Sequence, residues 1–187
     1  ERVVTFRGQA DGAQPWEAFL AEGAGVAEAE GRARAEAVGP EDLSDFIFTS
    51  GTTGSPKAVM TAHHQNVRVF AAWSEVVGLR EGDRYLIANP FFHSFGYKAG
   101  WLSSIMRGAT IVPHAVFDAA AVLERVAKER ISMLPGPPTL YQSFLSHPNL
   151  ADYDLSTLRL AVTGAAAIPV ELIHRMRDEL GFETIIT

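Results

Sequence analysis

From Leu43 onward, short apolar runs alternate with amphipathic stretches of helical length, and this alternation restricts the chain more than any other feature. Candidate strands fall at 45–49, 85–88, 110–112, 132–134, 158–162 and 183–186, and candidate helices at 65–77, 97–106, 119–129, 138–146 and 170–180. In the 119–129 stretch, Val122, Leu123 and Val126 line one face while Glu124, Arg125, Lys128 and Glu129 lie mostly opposite. Strands and helices in turn, with short connections, imply βαβ units and an α/β fold: a largely parallel sheet with flanking helices. Ligands of such sheets bind at the carboxyl ends of the strands. The connections there are 49–57, 89–96, 135–138 and 163–169.

The segment before this region is different. A short strand at 2–7 and a helix opened by Pro15-Trp16-Glu17 form a first unit over 1–22. Residues 23–42 are rich in Ala, Glu, Arg and Gly without apolar periodicity, which reads as a linker or a solvated helix. The main unit then covers 43–187. The chain starts at Glu1 in an apolar stretch and stops on Ile185-Ile186-Thr187 without a polar tail, so a piece of a longer protein is expected. A hydrophobic fraction of 47% with 20% charged residues argues against global disorder. The net charge of −6 lacks the basic stripe that nucleic acid would need. No apolar run reaches membrane-span length, and without cysteine there is neither a disulfide framework nor thiolate chemistry. A cytoplasmic location is expected.

The chemistry concentrates in Thr49-Ser50-Gly51-Thr52-Thr53-Gly54-Ser55-Pro56-Lys57. Hydroxyls and bare backbone amides hydrogen-bond phosphate oxygens, glycine lets the main chain come close, and lysine adds a point charge. A Walker loop requires lysine directly after its second glycine, then Ser or Thr, then a helix. Here Ser55 and Pro56 intervene, and Ala58-Val59-Met60-Thr61 reads as extended. The segment is therefore expected to be a strand, a hydroxyl-rich turn and a strand. A plain surface turn uses the same residue types.

The whole string resembles the phosphate-binding signature of the adenylate-forming superfamily, which holds acyl-CoA synthetases, firefly luciferase and peptide-synthetase adenylation domains. Ala58 departs from it, since the family more often has glycine there. Pro90-Phe91-Phe92-His93-Ser94-Phe95-Gly96 is similar to the family's aromatic–histidine motif bordering the acyl pocket, and Thr163-Gly164-Ala165-Ala166-Ala167-Ile168-Pro169 to its small-residue loop lying against adenine. On residues alone, His93 reads as a packed histidine and 163–169 as a βα loop. The 134–141 segment is similar to a family loop at the substrate tunnel and reads equally as a βα turn. His63 and His64 read as surface or capping residues, and no metal site is expected within the chain.

What the resemblance implies is part of the N-terminal domain of an adenylate-forming enzyme. Thr49, Ser50, Thr52, Thr53 and Lys57 would grip the ATP phosphates, Lys57 in a catalytic role, with Gly51 and Gly54 permitting the loop. Gly164, Ala165 and Ala166 would face adenine, and Phe92, His93 and Gly96 the acyl group. No acidic residue occurs from Tyr85 to Val116, which argues against an amino-acid substrate, whose ammonium would need a partner. Lys98, on the helix after the motif, is expected to meet a polar group of a functionalised acid. The implied reaction is ATP-dependent activation of a carboxylic acid, fatty or steroid-derived, to acyl-AMP and transfer to coenzyme A. The 89–100 and 134–139 segments are similar to fatty-acid-type ligases, in particular actinobacterial ones acting on steroid-breakdown acids. Magnesium would take its glutamate from beyond residue 187, and this chain alone would be inactive. Transfer to a carrier protein, a non-catalytic nucleotide-binding unit and an unrelated phosphate-loop NTPase remain as alternatives.

Overall fold

The computed structural model describes residues 2–49, 54–164 and 166–187. The chain divides into two units, Glu1–Asp42 and Leu43–Thr187.

In the first unit, β1 (Val4–Thr5) pairs in parallel with β2 (Gln14–Pro15), and α1 (Trp16–Glu22) follows directly. The Trp16 ring packs on Phe6 at 4.6 Å and on Phe19 at 5.8 Å. A second helix, α2 (Glu28–Glu36), is exposed all round. With no apolar face to bury, it carries Glu28–Arg32 and Glu30–Arg34 ion pairs at i,i+4, at 3.1 and 2.8 Å.

The second unit is α/β, as the alternation implied. It opens with an antiparallel hairpin, β3 (Leu43–Thr49) and β4 (Lys57–Ala62), with a register shift between Leu43 and Asp45. α3 (His63–Val76) continues from β4; the Gln65 side chain accepts from the Ala62 N–H at 2.9 Å and closes its first turn. Next come β5 (Arg84–Ile87), a π-helical segment (Phe95–Leu102), α4 (Ser103–Arg107), β6 (Thr110–Pro113), α5 (Ala119–Glu129) and α6 (Pro138–Leu145). β7 (Leu160–Val162), α7 (Val170–Leu180) and β8 (Thr184–Ile186) complete it. β5 pairs with β6 and β7 with β8, all in parallel; Met133 bridges Tyr85 on one side and Leu160 on the other. The sheet order is therefore β6–β5–(132–134)–β7–β8.

Alternate residues of these strands feed two cores. Leu86, Leu134 and Ala161 pack with Val122, Leu123 and Val126 of α5, Tyr141 and Phe144 of α6, and Leu172 and Met176 of α7. Tyr85, Ile87, Met133 and Leu160 face the other way, with Val77, Leu79, Trp73 and Trp101. Burying each large side chain is worth about 1.5–3 kcal/mol, so both faces commit the sheet to this register. Helix ends follow local chemistry. Asp118 caps α5 by accepting from the Ala121 N–H at 2.8 Å, and Gly181 ends α7 at φ 81°.

One expected helix, 97–106, differs in kind. Its first part is π-helical, and the hydroxyls of Ser103 and Ser104 donate to the carbonyls of Lys98 and Gly100, both at 2.9 Å. Those serines satisfy carbonyls in the widened turn. Widened turns of this kind are enriched at functional sites. Among the described residues, no helix is long and apolar enough to cross a membrane.

Candidate active site

The hairpin carries Thr49 and Lys57, the two ends of the hydroxyl-rich segment. Its register places Thr49 opposite Lys57, with the Thr49 hydroxyl 3.5 Å from the Lys57 carbonyl. Directly opposed residues share a face, so Asp45 with Thr61, Ile47 with Val59, and Thr49 with Lys57 lie on one side. Phe46, Met60 and Phe48 lie on the other and are 50%, 67% and 70% exposed. Ser50, Gly51, Thr52 and Thr53 lie outside the described residues. Gly54 has φ 87°, a left-handed backbone that favours glycine over any side chain there. Lys57 is exposed at the start of β4.

A cleft of about 320 Å³ lies at the carboxyl ends of β5, the 132–134 strand and β7. Asn89, His93, Phe95, Gly136, Pro137, Val162, Thr163 and Gly164 line it. A neighbouring cavity of about 280 Å³ shares Asn89, Gly136 and Pro137, and reaches Phe117 and Leu140. Tyr141 ties the floor together: its hydroxyl donates to the Leu134 carbonyl at 2.8 Å and lies 3.3 Å from that of Val162. Burial pushes the Tyr141 phenol far up, so it stays a neutral donor. Asn89 and Thr163 line the cleft, and their side-chain oxygens Oδ1 and Oγ1 are enclosed without a hydrogen-bond partner among the described residues. Desolvated groups of this kind cost about 1–3 kcal/mol each unless something else bonds them.

The residues singled out from sequence distribute unevenly. His93 lines the cleft, and its Nδ1 accepts from the Phe95 N–H at 3.2 Å. Gly164 lines it too; Ala165 lies outside the described residues, and Ala166 is exposed. Phe92 is 86% exposed, whereas Phe95 lines the cleft, reached through a turn that sequence spacing alone does not fix. Gly96 is buried, and a Cβ there would sit 2.2 Å from the Pro90 carbonyl oxygen and 2.6 Å from that of Asn89. Its glycine lets the 89–90 backbone press on the π-helical segment. Phe95 and Thr163 lie within the two motifs read from sequence but were given no role of their own, and Asn89, just before the first motif, was given none either; the position of all three in connections at strand carboxyl ends was a further signal.

Lys98 lies only 7% exposed. Its ammonium pairs with Asp45 Oδ1 at 2.9 Å and donates to Thr61 Oγ1 at 3.0 Å, so it is turned to the hairpin rather than open to a ligand. Thr61 in turn donates to Asp45 at 3.1 Å, and Asn66 of α3 donates to Asp45 Oδ2 at 2.6 Å. Burial alone would raise the Asp45 carboxyl; hydrogen bonds from Lys98, Asn66, Ser44 and Thr61 outweigh it and hold it below the ordinary carboxylate value. Among the described residues, no group of three or more His, Cys, Asp or Glu side chains converges to hold a metal ion.

A model of the AMP-binding enzyme family matches residues 3–187. The chain belongs to that family. It is 51% identical, over its whole length, to 36% of the 3-[(3aS,4S,7aS)-7a-methyl-1,5-dioxo-octahydro-1H-inden-4-yl]propanoyl:CoA ligase of Rhodococcus jostii. Among solved structures, it is similar to the anthranilate CoA ligase AuaEII in complex with anthranoyl-AMP. That match has TM-score 0.70 and 31% identity, and covers 78% of this chain and 29% of that one. It is also similar to the o-succinylbenzoate coenzyme A synthetase of Bacillus subtilis with ATP and magnesium, at TM-score 0.68 and 28% identity, covering 78% and 30%. The chain spans about a third of the length of the curated relatives it matches. Family membership and the α/β fold thus agree with the resemblance read from the Thr49–Lys57, aromatic–histidine and small-residue motifs.

Proposed function

We propose that the complete polypeptide carrying this chain activates a carboxylic acid with ATP and transfers it to coenzyme A. The observation that carries this reading is the cleft at the strand carboxyl ends, with His93 and the unpartnered oxygens of Asn89 and Thr163, in a chain of the AMP-binding enzyme family. In the first step a carboxylate oxygen attacks the α-phosphorus of ATP; the bond to the bridging oxygen breaks and pyrophosphate leaves. In the second step the thiol of coenzyme A adds to the acyl carbon, loses its proton and displaces AMP, leaving a thioester.

The residues divide this work between the hairpin and the cleft. Thr49, Ser50, Thr52, Thr53 and Lys57 hold the β- and γ-phosphates, and Gly51 and Gly54 shape the loop. Two anions must meet in the first step, so preorganised donors and the Lys57 charge lower its barrier. Gly164, Ala165 and Ala166 lie against adenine. His93 and Phe95 shape the acyl side, with Gly96 setting the approach of the 89–90 backbone and Phe92 at the rim. Magnesium, when bound, would neutralise triphosphate charge. The cleft volume suits a small molecule. The Rhodococcus relative, 51% identical over the whole of this chain, is named for an acid that bears two ring oxo groups. An alicyclic keto acid is therefore the substrate class we favour over a plain fatty acid.

The test is acid-dependent ATP–pyrophosphate exchange on the complete polypeptide across a panel of fatty, aromatic and keto-bearing alicyclic acids. Exchange should be strongest with the keto acids, and coenzyme A should convert the same acids to thioesters. Lys57→Ala should lose about 10²–10³-fold in exchange, the typical cost of one anion donor. Exchange that ignores the acid, or a Lys57→Ala variant at full rate, would overturn the proposal. The 187-residue chain alone should release no AMP.

A further inference from the structure

Within this chain, which spans about a third of the length of its curated relatives, the hairpin that carries the Thr49–Lys57 loop has little apolar packing. None of the described residues of β3 or β4 is buried, and Phe46, Phe48, Val59 and Met60 are at least half exposed. The most enclosed contact on the two strands is polar: Asp45 and Thr61 gripping the Lys98 ammonium, with Asn66 bonding Asp45 from α3. Asp45 and Lys98 have side chains only 14% and 8% exposed.

Lys98 sits in the π-helical segment that follows His93, so this node joins the two halves of the site. On one side is the hairpin face that bears Thr49 and Lys57. On the other is the segment whose Phe95 and His93 line the cleft. Two of the three ammonium donors are taken by Asp45 and Thr61, and the Tyr97 ring lies 5.8 Å from Nζ.

We propose that Lys98 is a positioning residue that pins the phosphate hairpin to the acid-side helix and so fixes the spacing of the two substrates. This deepens the proposed function and rests on it for its kinetic consequence. Asp45 is four residues from Thr49 along β3, a run of about 13 Å at strand rise. A tilt of about 5° at the node therefore carries the loop mouth about 1 Å, and misplacement of that size can cost about 10²-fold in rate. Removing one member of a buried pair leaves the other charge uncompensated, whereas removing both relieves it.

The experiment compares wild type, Lys98→Met and the Asp45→Asn/Lys98→Met pair in the complete polypeptide. Amide hydrogen exchange over 43–62 is read against the 84–87 and 160–162 strands, alongside KM for ATP and for the acid, kcat, and the ranking of the acid panel. Lys98→Met should speed exchange in the hairpin about tenfold or more without a matching change in the sheet. It should raise KM for ATP or lower kcat by about 10–10²-fold, with acid KM and acid ranking preserved. The pair should recover part of both losses, and it carries the comparison if the single variant does not fold. Altered acid ranking with intact ATP kinetics would assign Lys98 to the acid instead. Exchange that rises equally in hairpin and sheet, or not at all, would reduce it to a general stabiliser. If wild type shows no acid-dependent pyrophosphate exchange, the proposed function fails, and the hydrogen-exchange comparison still decides the role of Lys98.

Discussion

Gly96→Ala gives a prediction whose sign is fixed by a single close approach. The added Cβ would stand 2.2 Å from the Pro90 oxygen, 2.6 Å from the Asn89 oxygen and 2.7 Å from the Pro90 carbonyl carbon. Carbon and oxygen tolerate about 3.3 Å, so backbone must move about 1.1 Å. All three atoms belong to the main chain, and none can swing away as a side-chain end would. The same Pro90 carbonyl accepts from the His93 N–H at 3.0 Å, so the shift also strains the turn that presents His93. Overpacking of this kind costs about 1–3 kcal/mol, and a weakened hydrogen bond adds about 1 kcal/mol. Against this, alanine inside a helix is favoured over glycine by about 1 kcal/mol. The net expectation is a loss of about 1–3 kcal/mol, a fall of about 0.5–1.5 M in the urea midpoint at a slope of about 2 kcal/mol/M. Because Asn89 lines the cleft, KM for the acid should rise with it. Urea unfolding followed by fluorescence, with acid kinetics on the same preparations, makes the check. Gly100→Ala is the control: its Cβ meets the Ile87 side chain at 3.2 and 3.3 Å and the Phe95 carbonyl oxygen at 3.4 Å, contacts that need shifts of only a few tenths of an ångström, so its loss should be the smaller. A Gly96→Ala protein more stable than wild type, the outcome that propensity alone dictates, would refute the reasoning.

Gly164→Ala should behave in the opposite way. A Cβ there meets no atom of the described residues within 4 Å, so stability should hold within about 0.5 kcal/mol. Gly164 lines the cleft, however, and the methyl should raise KM for ATP or acid about tenfold; unchanged kinetics would remove it from the site. Asp45 predicts an acid sensitivity. Its native carboxyl lies below its unfolded value of about 3.9, so its stabilising contribution is complete above about pH 5. That contribution is lost as pH falls through the native value. Asp45→Asn should therefore lose less stability than wild type between pH 6 and the acid limb, and parallel pH curves for the two proteins would contradict this.

Much of the fold was legible because its signals are local. Val122, Leu123 and Val126 at helical spacing, and short apolar runs between helices, report burial directly, and the structure places them in the two cores. The exposed helix Glu28–Glu36 left no such trace, since a helix without a buried face has no apolar period to read. The π-helical turn was invisible for another reason. Its widened geometry depends on the Ser103 and Ser104 hydroxyls and on Gly96 meeting the 89–90 backbone, which are contacts rather than patterns. That turn decides which aromatic faces the cleft, so Phe95 took the place expected for Phe92.

The reading of Lys98 shows where residue type stops being informative. A lysine beside an acid-binding motif invites pairing with a ligand, and nothing within its own segment offers a carboxylate. The partner arrives from the hairpin, where the register shift between Leu43 and Asp45 precedes the Asp45–Thr61 pair that meets it. An antiparallel hairpin, unlike a loop that opens a helix, has no helix dipole to hold phosphate, and none of the described residues of β3 and β4 is buried within this chain. On the proposed function, a phosphate grip there would come from side chains and amides at its mouth, with its aim set from its base. A buried ammonium held between both strands at that base, on the segment that also presents His93, supplies that aim. The two ends of the site are thus coupled through Asp45, Thr61 and Lys98, and the spacing between them is set by a polar contact that no stretch of sequence displays.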